Sequence, residues 1–118
     1  MGSAQAVGRY GEKVAVDHLE RSGFIVLGRN WRCRYGELDI VAMDGDTVVG
    51  VEVKTRRSLA FGHPVEAVTR QKAARLRRLL AQWLSENDVH APGVRIDVIA
   101  IVRPRRGAAE LLHLRGVA

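Results

Sequence analysis

Four charged side chains interrupt two segments that otherwise read as buried strands. They are Glu37 and Asp39 in "GELDIVAMD", and Glu52 and Lys54 in "TVVGVEVKTR". Charge taken out of water is costly unless it is paired or bound to a cation. Paired carboxylates offer hard oxygen ligands that suit Mg2+ or Mn2+, ions that keep several waters and accept one or two carboxylates. A lysine beside them can position or deprotonate a metal-bound water, or stabilise charge building on a phosphate. These residue types point to metal-assisted phosphate chemistry, provided the chain brings them together.

The spacing does so. Gly45-Asp46 reads as a two-residue hairpin turn, since both residue types tolerate positive φ. Pairing Asp44 with Thr47 and continuing along the strands sets Asp39 opposite Glu52 and Glu37 opposite Lys54. Alternation then puts all four on one face, and leaves Leu38/Val53, Ile40/Val51 and Ala42/Val49 on the other. A slip of one residue would destroy this match. Directly opposed like charges destabilise a sheet, so Asp39 against Glu52 calls for a cation between them. The competing reading is a row of surface charges on a half-exposed sheet, with Glu37 and Lys54 as a cross-strand ion pair. The acidic pair weighs against it.

The elements that must hold this hairpin are also legible. A helix is expected over about residues 4 to 22, stopping at Ser22-Gly23, with Val7, Gly8, Gly11, Val14, Ala15, His18 and Leu19 on one side. The glycines on that side suit close packing on a sheet, and Glu12 lies at the border of the face. Strands "FIVLGRNWR", "ELDIVAM" and "TVVGVEVKT" follow, then a helix from about 65 to 86 with the stripe Leu76, Leu79, Leu80, Trp83, Leu84. "VRIDVIAIV" and "AELLHL" supply two more strands. The order αβββαββ implies an α/β fold, a mixed sheet flanked by helices, in a single domain spanning 1–118. Lys72 continues the leucine stripe one turn earlier, so it points toward the sheet.

Composition bounds the partners. The 118 residues carry 19 Lys+Arg against 13 Asp+Glu, a net charge of +6. Such a surplus favours a polyanion, meaning nucleic acid or an anionic membrane surface. The single cysteine, Cys33, excludes an internal disulfide and fits a reducing cytoplasm. No apolar run approaches a membrane span, and the N-terminal stretch lacks the apolar core of a signal peptide.

Asp39, followed thirteen positions later by Glu52-Val53-Lys54 on a hairpin after a helix bearing Glu12, resembles the PD-(D/E)xK nuclease superfamily. More closely, "GRYGEKVAVDHLERSGFIVLGRNWR", "GELDIVAMDGDTVVGVEVKTR", "FGHPVEAVTRQKAARL" and "RIDVIAIV" resemble the YraN-like family of predicted endonucleases over nearly the whole chain. The resemblance implies a restriction-endonuclease-like fold similar to archaeal Holliday-junction resolvases. It implies a metal held by Asp39, Glu52 and the Val53 carbonyl, with Glu12 reaching it directly or through water. Lys54 would handle the water nucleophile. The implied reaction is hydrolysis of a DNA phosphodiester, at branched or junction structures, by a homodimer.

Other residues carry two readings each. Glu12 is either a ligand or a solvated helix residue. Gln71 and Lys72 either touch substrate phosphate or, for Lys72, snorkel from the core edge. Arg56 and Arg57, just past the lysine-bearing strand, either bind phosphate or stay in solvent. His63 reads as structural, because no partner with metal-like spacing accompanies it. His18 reads as a core histidine. Trp31 and Tyr35 either pack or stack on bases. Three functions follow: a metal-dependent nuclease, a nucleic-acid-binding module without catalysis, and a protein-interaction scaffold.

Overall fold

A computed structural model describes residues 4–57 and 68–117. The elements are α1 (Ala4–Arg21), β1 (Ile25–Cys33), β2 (Gly36–Asp44), β3 (Thr47–Arg56), α2 (Arg70–Glu86), β4 (Gly93–Val102) and β5 (Glu110–Leu114). The expected order αβββαββ is the observed one, and the architecture is consistent with a restriction-endonuclease-like fold. The five strands form one mixed sheet in the order β1-β2-β3-β4-β5. β3 and β4 run parallel, with α2 as the crossover that a parallel pair requires, and the other pairs are antiparallel. No helix among the described residues is long and apolar enough to cross a membrane.

Each helix covers one sheet face. Leu76, Leu79, Leu80 and Trp83 of α2 pack on Leu38, Val41, Val48, Ile96 and Val98. Ala15 and Leu19 of α1 pack on Ile40, Ala42, Val49, Val51, Ile99 and Ile101. Both helix boundaries have local causes. Gly23, at φ 90°, ends α1: its N–H donates to Glu20 O, and the Phe24 N–H reaches Leu19 O. Thr69 caps α2 by accepting the Lys72 N–H at 3.1 Å. Its backbone is extended, so α2 starts at Arg70 and not near residue 65. Gly62, His63 and Pro64 lie outside the described residues. Of the two glycines expected to approach the sheet, only Gly11 does; Gly8 is exposed with nothing nearby.

A second constraint lies under β5. Asp97 of β4 is fully buried. It accepts from Arg95 Nε at 2.8 Å and Nη2 at 3.0 Å, from His113 Nε2 at 2.8 Å, and from the Gly116 N–H at 3.0 Å. The other ring nitrogen of His113, Nδ1, lies 3.0 Å from His18 Nε2, so α1, β5 and β4 share one polar chain. Burial pushes the Asp97 carboxyl up, but these hydrogen bonds and the Arg95 charge outweigh it and hold the pKa at about 2. Burial lowers the pKa of His18, helped by His113 and Arg115.

Two outcomes follow for stability. A methyl at Gly11 would fall on Thr55 Oγ1. Helix propensity favours Ala over Gly by about 1 kcal/mol, but overpacking costs about 1–3 kcal/mol. Gly11→Ala is therefore expected to lower the urea midpoint, and the loss should shrink in a Thr55→Ala background; equal losses in both would refute the contact. The pH slopes add. The folded chain holds a proton on His18 more weakly than the unfolded chain does, so stability falls as pH drops through about 6.5. The Asp97 contribution is complete above about 3.9 and is lost as pH falls further. Urea midpoints measured against pH should show both limbs, and His18→Asn should flatten only the upper one.

Candidate active site

The β2–β3 ladder follows the expected register from Asp44↔Thr47 to Ile40↔Val51 and then stops. Gly45 has φ 61° and Asp46 no positive φ, the pattern of a hairpin turn with glycine first. Beyond Val51, β3 stays paired to β4 through Arg56, while β2 stays with β1. The two strands part where Asp39 and Glu52 were expected to oppose. The β1–β2 ladder also skips the Asn30/Asp39 position, and Asn30 has φ 51°. Asn tolerates this left-handed conformation better than most residues. Its side-chain amide donates to Glu12 Oε1 at 2.8 Å. Across this kink the alternation of β2 breaks. Leu38 packs with α2, whereas Ile40 and Ala42 pack with α1, so the expected sharing of one face by these three does not occur.

Asp39 exploits the opening. Its Oδ2 accepts the Val53 N–H at 2.9 Å, replacing the ladder that has ended. In an extended strand a residue's N–H and C=O face the same neighbour. The Val53 carbonyl therefore faces the same gap as the Asp39 carboxylate. Burial raises the Asp39 pKa, against the Val53 hydrogen bond, and repulsion from Glu52, Glu37 and Glu12 raises it further.

Glu52 and Lys54 share the α2 side of β3, as alternation requires. Glu52 Oε1 is 3.2 Å from Lys54 Nζ and 2.8 Å from Lys72 Nζ. Glu52 Oε2 is buried and has no hydrogen-bond partner among the described residues. Burial lowers the Lys54 pKa, with Lys72 adding to the drop and Glu52 opposing it. For Lys72, burial is outweighed by its hydrogen bond to Glu52, and its pKa is raised. Asp39, Glu52, Lys72 and Arg75 line one concavity of about 210 Å3 between the sheet and α2. This is an acidic pocket bordered on the α2 side by Lys72 and Arg75.

The remaining expected residues divide. Glu37 is exposed and pairs with Arg32 at 2.9 Å, so it does not face Lys54. Glu12 is buried, but its Oε1 is taken by Arg29 Nε at 3.2 Å and by Asn30, in a hollow on the α1 side. Its charge still reaches Asp39. Arg56, Arg57 and Gln71 are exposed, with Arg56 and Arg57 at the end of β3 and Gln71 in the first turn of α2. Trp31 packs against the α2 core, and Tyr35 is 64% exposed. Among the described residues, no three His, Cys, Asp or Glu side chains gather as a metal cage. Sequence reasoning missed Asn30 and Arg29. The signal available was an Asn, a residue that accepts positive φ, inside an otherwise regular strand.

Replacing either carboxylate by its amide separates their roles. Asp39→Asn keeps an oxygen for the Val53 N–H and removes the repulsion. In chelator it is expected to raise stability by about 0.2–1 kcal/mol, the scale of cross-strand charge pairs. Glu52→Gln strips two lysines of their shared partner and is expected to lower it. Thermal midpoints of both variants beside the parent check the opposite signs.

Comparison with known proteins agrees on one family. Residues 11–101 match uncharacterised protein family UPF0102. A UPF0102 protein of Beutenbergia cavernae is 64% identical over 117 residues, covering 99% of both chains. Another, from Kineococcus radiotolerans, is 56% identical over 114 residues, covering 96% of this chain and 93% of its own. One from Streptomyces coelicolor is 53% identical over 120 residues, covering 100% of this chain and 92% of its own. With the family match spanning most of the chain and relatives this similar along their full length, the chain belongs to the UPF0102 (YraN-like) family.

Proposed function

We propose that this protein is a metal-dependent nuclease of the PD-(D/E)xK type that hydrolyses DNA phosphodiester bonds, at branched or junction structures. One observation carries the reading. A buried carboxylate oxygen, Glu52 Oε2, has no partner among the described residues and lies beside a second half-buried carboxylate, Asp39, whose ionisation is disfavoured. A purely structural site gains nothing from this arrangement, whereas a hard dication relieves both costs at once. Asp39, Glu52 and the Val53 carbonyl would hold Mg2+ or Mn2+, with Glu12 acting directly or through water. The bound ion would polarise the scissile phosphate and acidify a water.

The protein's own groups divide the remaining work. Lys54, with its lowered pKa, is suited to take a proton from the attacking water or to orient it. Lys72 neutralises Glu52 and stands ready to shift to a substrate phosphate. Gln71, at the start of α2, and Arg56 and Arg57, at the end of β3, are exposed and would contact the DNA backbone, making binding salt-sensitive. A homodimer in the cytoplasm would match a two-fold substrate such as a junction. One observation favours a second reading. Two lysines already compensate Glu52, as suits a nucleic-acid-binding protein of this fold without catalysis.

Labelled four-way junction, flap and plain duplex DNA, incubated with Mg2+, Mn2+ or chelator, separate the two. Cutting is expected with either metal and none with chelator. Asp39→Ala and Glu52→Ala should abolish it, and Lys54→Ala should slow it by about 100-fold or more. Cleavage that persists in the two acid variants would refute the mechanism. Salt-sensitive binding without cleavage by the parent would favour the second reading.

A further inference from the structure

The hydrolytic pocket continues into a second hollow that the proposed chemistry does not use. Arg75 and Leu79 border both. This hollow has a volume of about 430 Å3 and is completed by Tyr35, Arg78 and Gln82. Arg75, Arg78, Leu79 and Gln82 form one stripe on α2, by their spacing of three and four residues. Tyr35 faces that stripe from the tip of the β1–β2 hairpin, where Cys33 pairs with Gly36 across Arg34 and Tyr35. Gly36 has φ 146°, a conformation that fixes this turn. Tyr35 is among the most exposed large hydrophobic side chains of the described residues, and the Arg34 guanidinium lies 5.1 Å from its ring centroid. Among the described residues, no carboxylate lines the hollow. The lining therefore changes from acidic at Asp39 and Glu52 to cationic and aromatic within one groove.

We propose that this groove is a subsite for an unpaired nucleotide flanking the scissile phosphate, with its base stacked on Tyr35 and its phosphates against Arg75 and Arg78. The inference rests on the nucleic-acid reading of the neighbouring pocket and narrows the substrate to DNA with a single-stranded element. An aromatic face beside cations is the arrangement that holds unpaired bases irrespective of sequence. A base inside a duplex has no face to offer. The charge change along the groove favours a polyanion that meets the acidic pocket only where a cation is bound.

Binding in chelator tests this without requiring cleavage. The probes are a single strand and a flap carrying 2-aminopurine in the unpaired arm, and a blunt duplex of equal length. The parent is expected to bind the first two more tightly and to quench the probe. Tyr35→Ala should remove the quenching and weaken single-strand binding roughly 5- to 150-fold, the range of a lost base stack. Tyr35→Phe should keep both. Duplex binding should be unchanged in either variant, which also shows that they fold. Arg75→Gln and Arg78→Gln should each reduce the single-strand salt slope by about 0.7. Tyr35→Ala that binds and quenches as the parent does, while the parent still cuts DNA, would overturn the subsite alone. Failure of the parent to bind any of the three would overturn the nucleic-acid reading as well. Polyglutamate competing equally with the single strand would overturn the base-stacking argument, since it has charge without bases.

Discussion

The hydrogen bond from the Val53 N–H to Asp39 Oδ2 marks where β2 and β3 cease to be neighbours. A regular antiparallel ladder would have satisfied that N–H with a backbone carbonyl and turned Asp39 onto a face. A side-chain acceptor there keeps the donor satisfied while the strands separate. Everything chemical in the molecule depends on this substitution. The gap admits the Val53 carbonyl, exposes Glu52 and Lys54 to Lys72, and gives the pocket its depth. It is supported from the other side by the Asn30 kink, itself stabilised by Glu12. Glu12 thus shapes the site through β1 whether or not it also touches a cation.

The sheet tolerates this opening because β3 is held on its other edge. Its parallel pairing with β4 runs without interruption from Thr47↔Gly93 to Arg56↔Val102. β4 is in turn pinned to β5 and to the C-terminal segment through Asp97. Two acidic residues in apolar strands have opposite fates. Asp97 is surrounded by donors and ionises readily, whereas Asp39 has one donor and several like charges and resists ionisation. This contrast separates a group that consolidates the fold from a candidate for chemistry.

Much of this was legible in the sequence. The hairpin register followed from one turn and one alternating pattern. The α2 stripe correctly aimed Lys72 at the sheet. The kink was hinted at only by an Asn inside a regular strand, because the conformation of Asn30 is held by a partner 18 positions away. Strict alternation therefore misplaced Leu38 and gave Glu37 a partner it does not have. Asp97 went unnoticed although it too is a charged residue interrupting a segment that otherwise reads as a buried strand. The clue was Arg95 two positions earlier, on the same side of the strand. His18, read as a core histidine, is half-buried and bonded to His113, which lies beyond the reach of helical periodicity.

The single parallel pairing sets the order in which the molecule is assembled. β1, β2 and β3 form a meander of neighbours, whose closure needs only short loops. Joining Thr47 to Gly93 must await the whole of α2 and the segment before it. Loop closure over that separation is entropically slower than the hairpins. During synthesis from the N-terminus, Asp39 and Glu52 are therefore drawn together before Lys72 arrives. The growing chain passes through a stage in which its most repulsive feature is already built and its counter-charge is not. Docking of α2 is then drawn forward by charge as well as by the leucine stripe, coupling that step to completion of the acidic pocket.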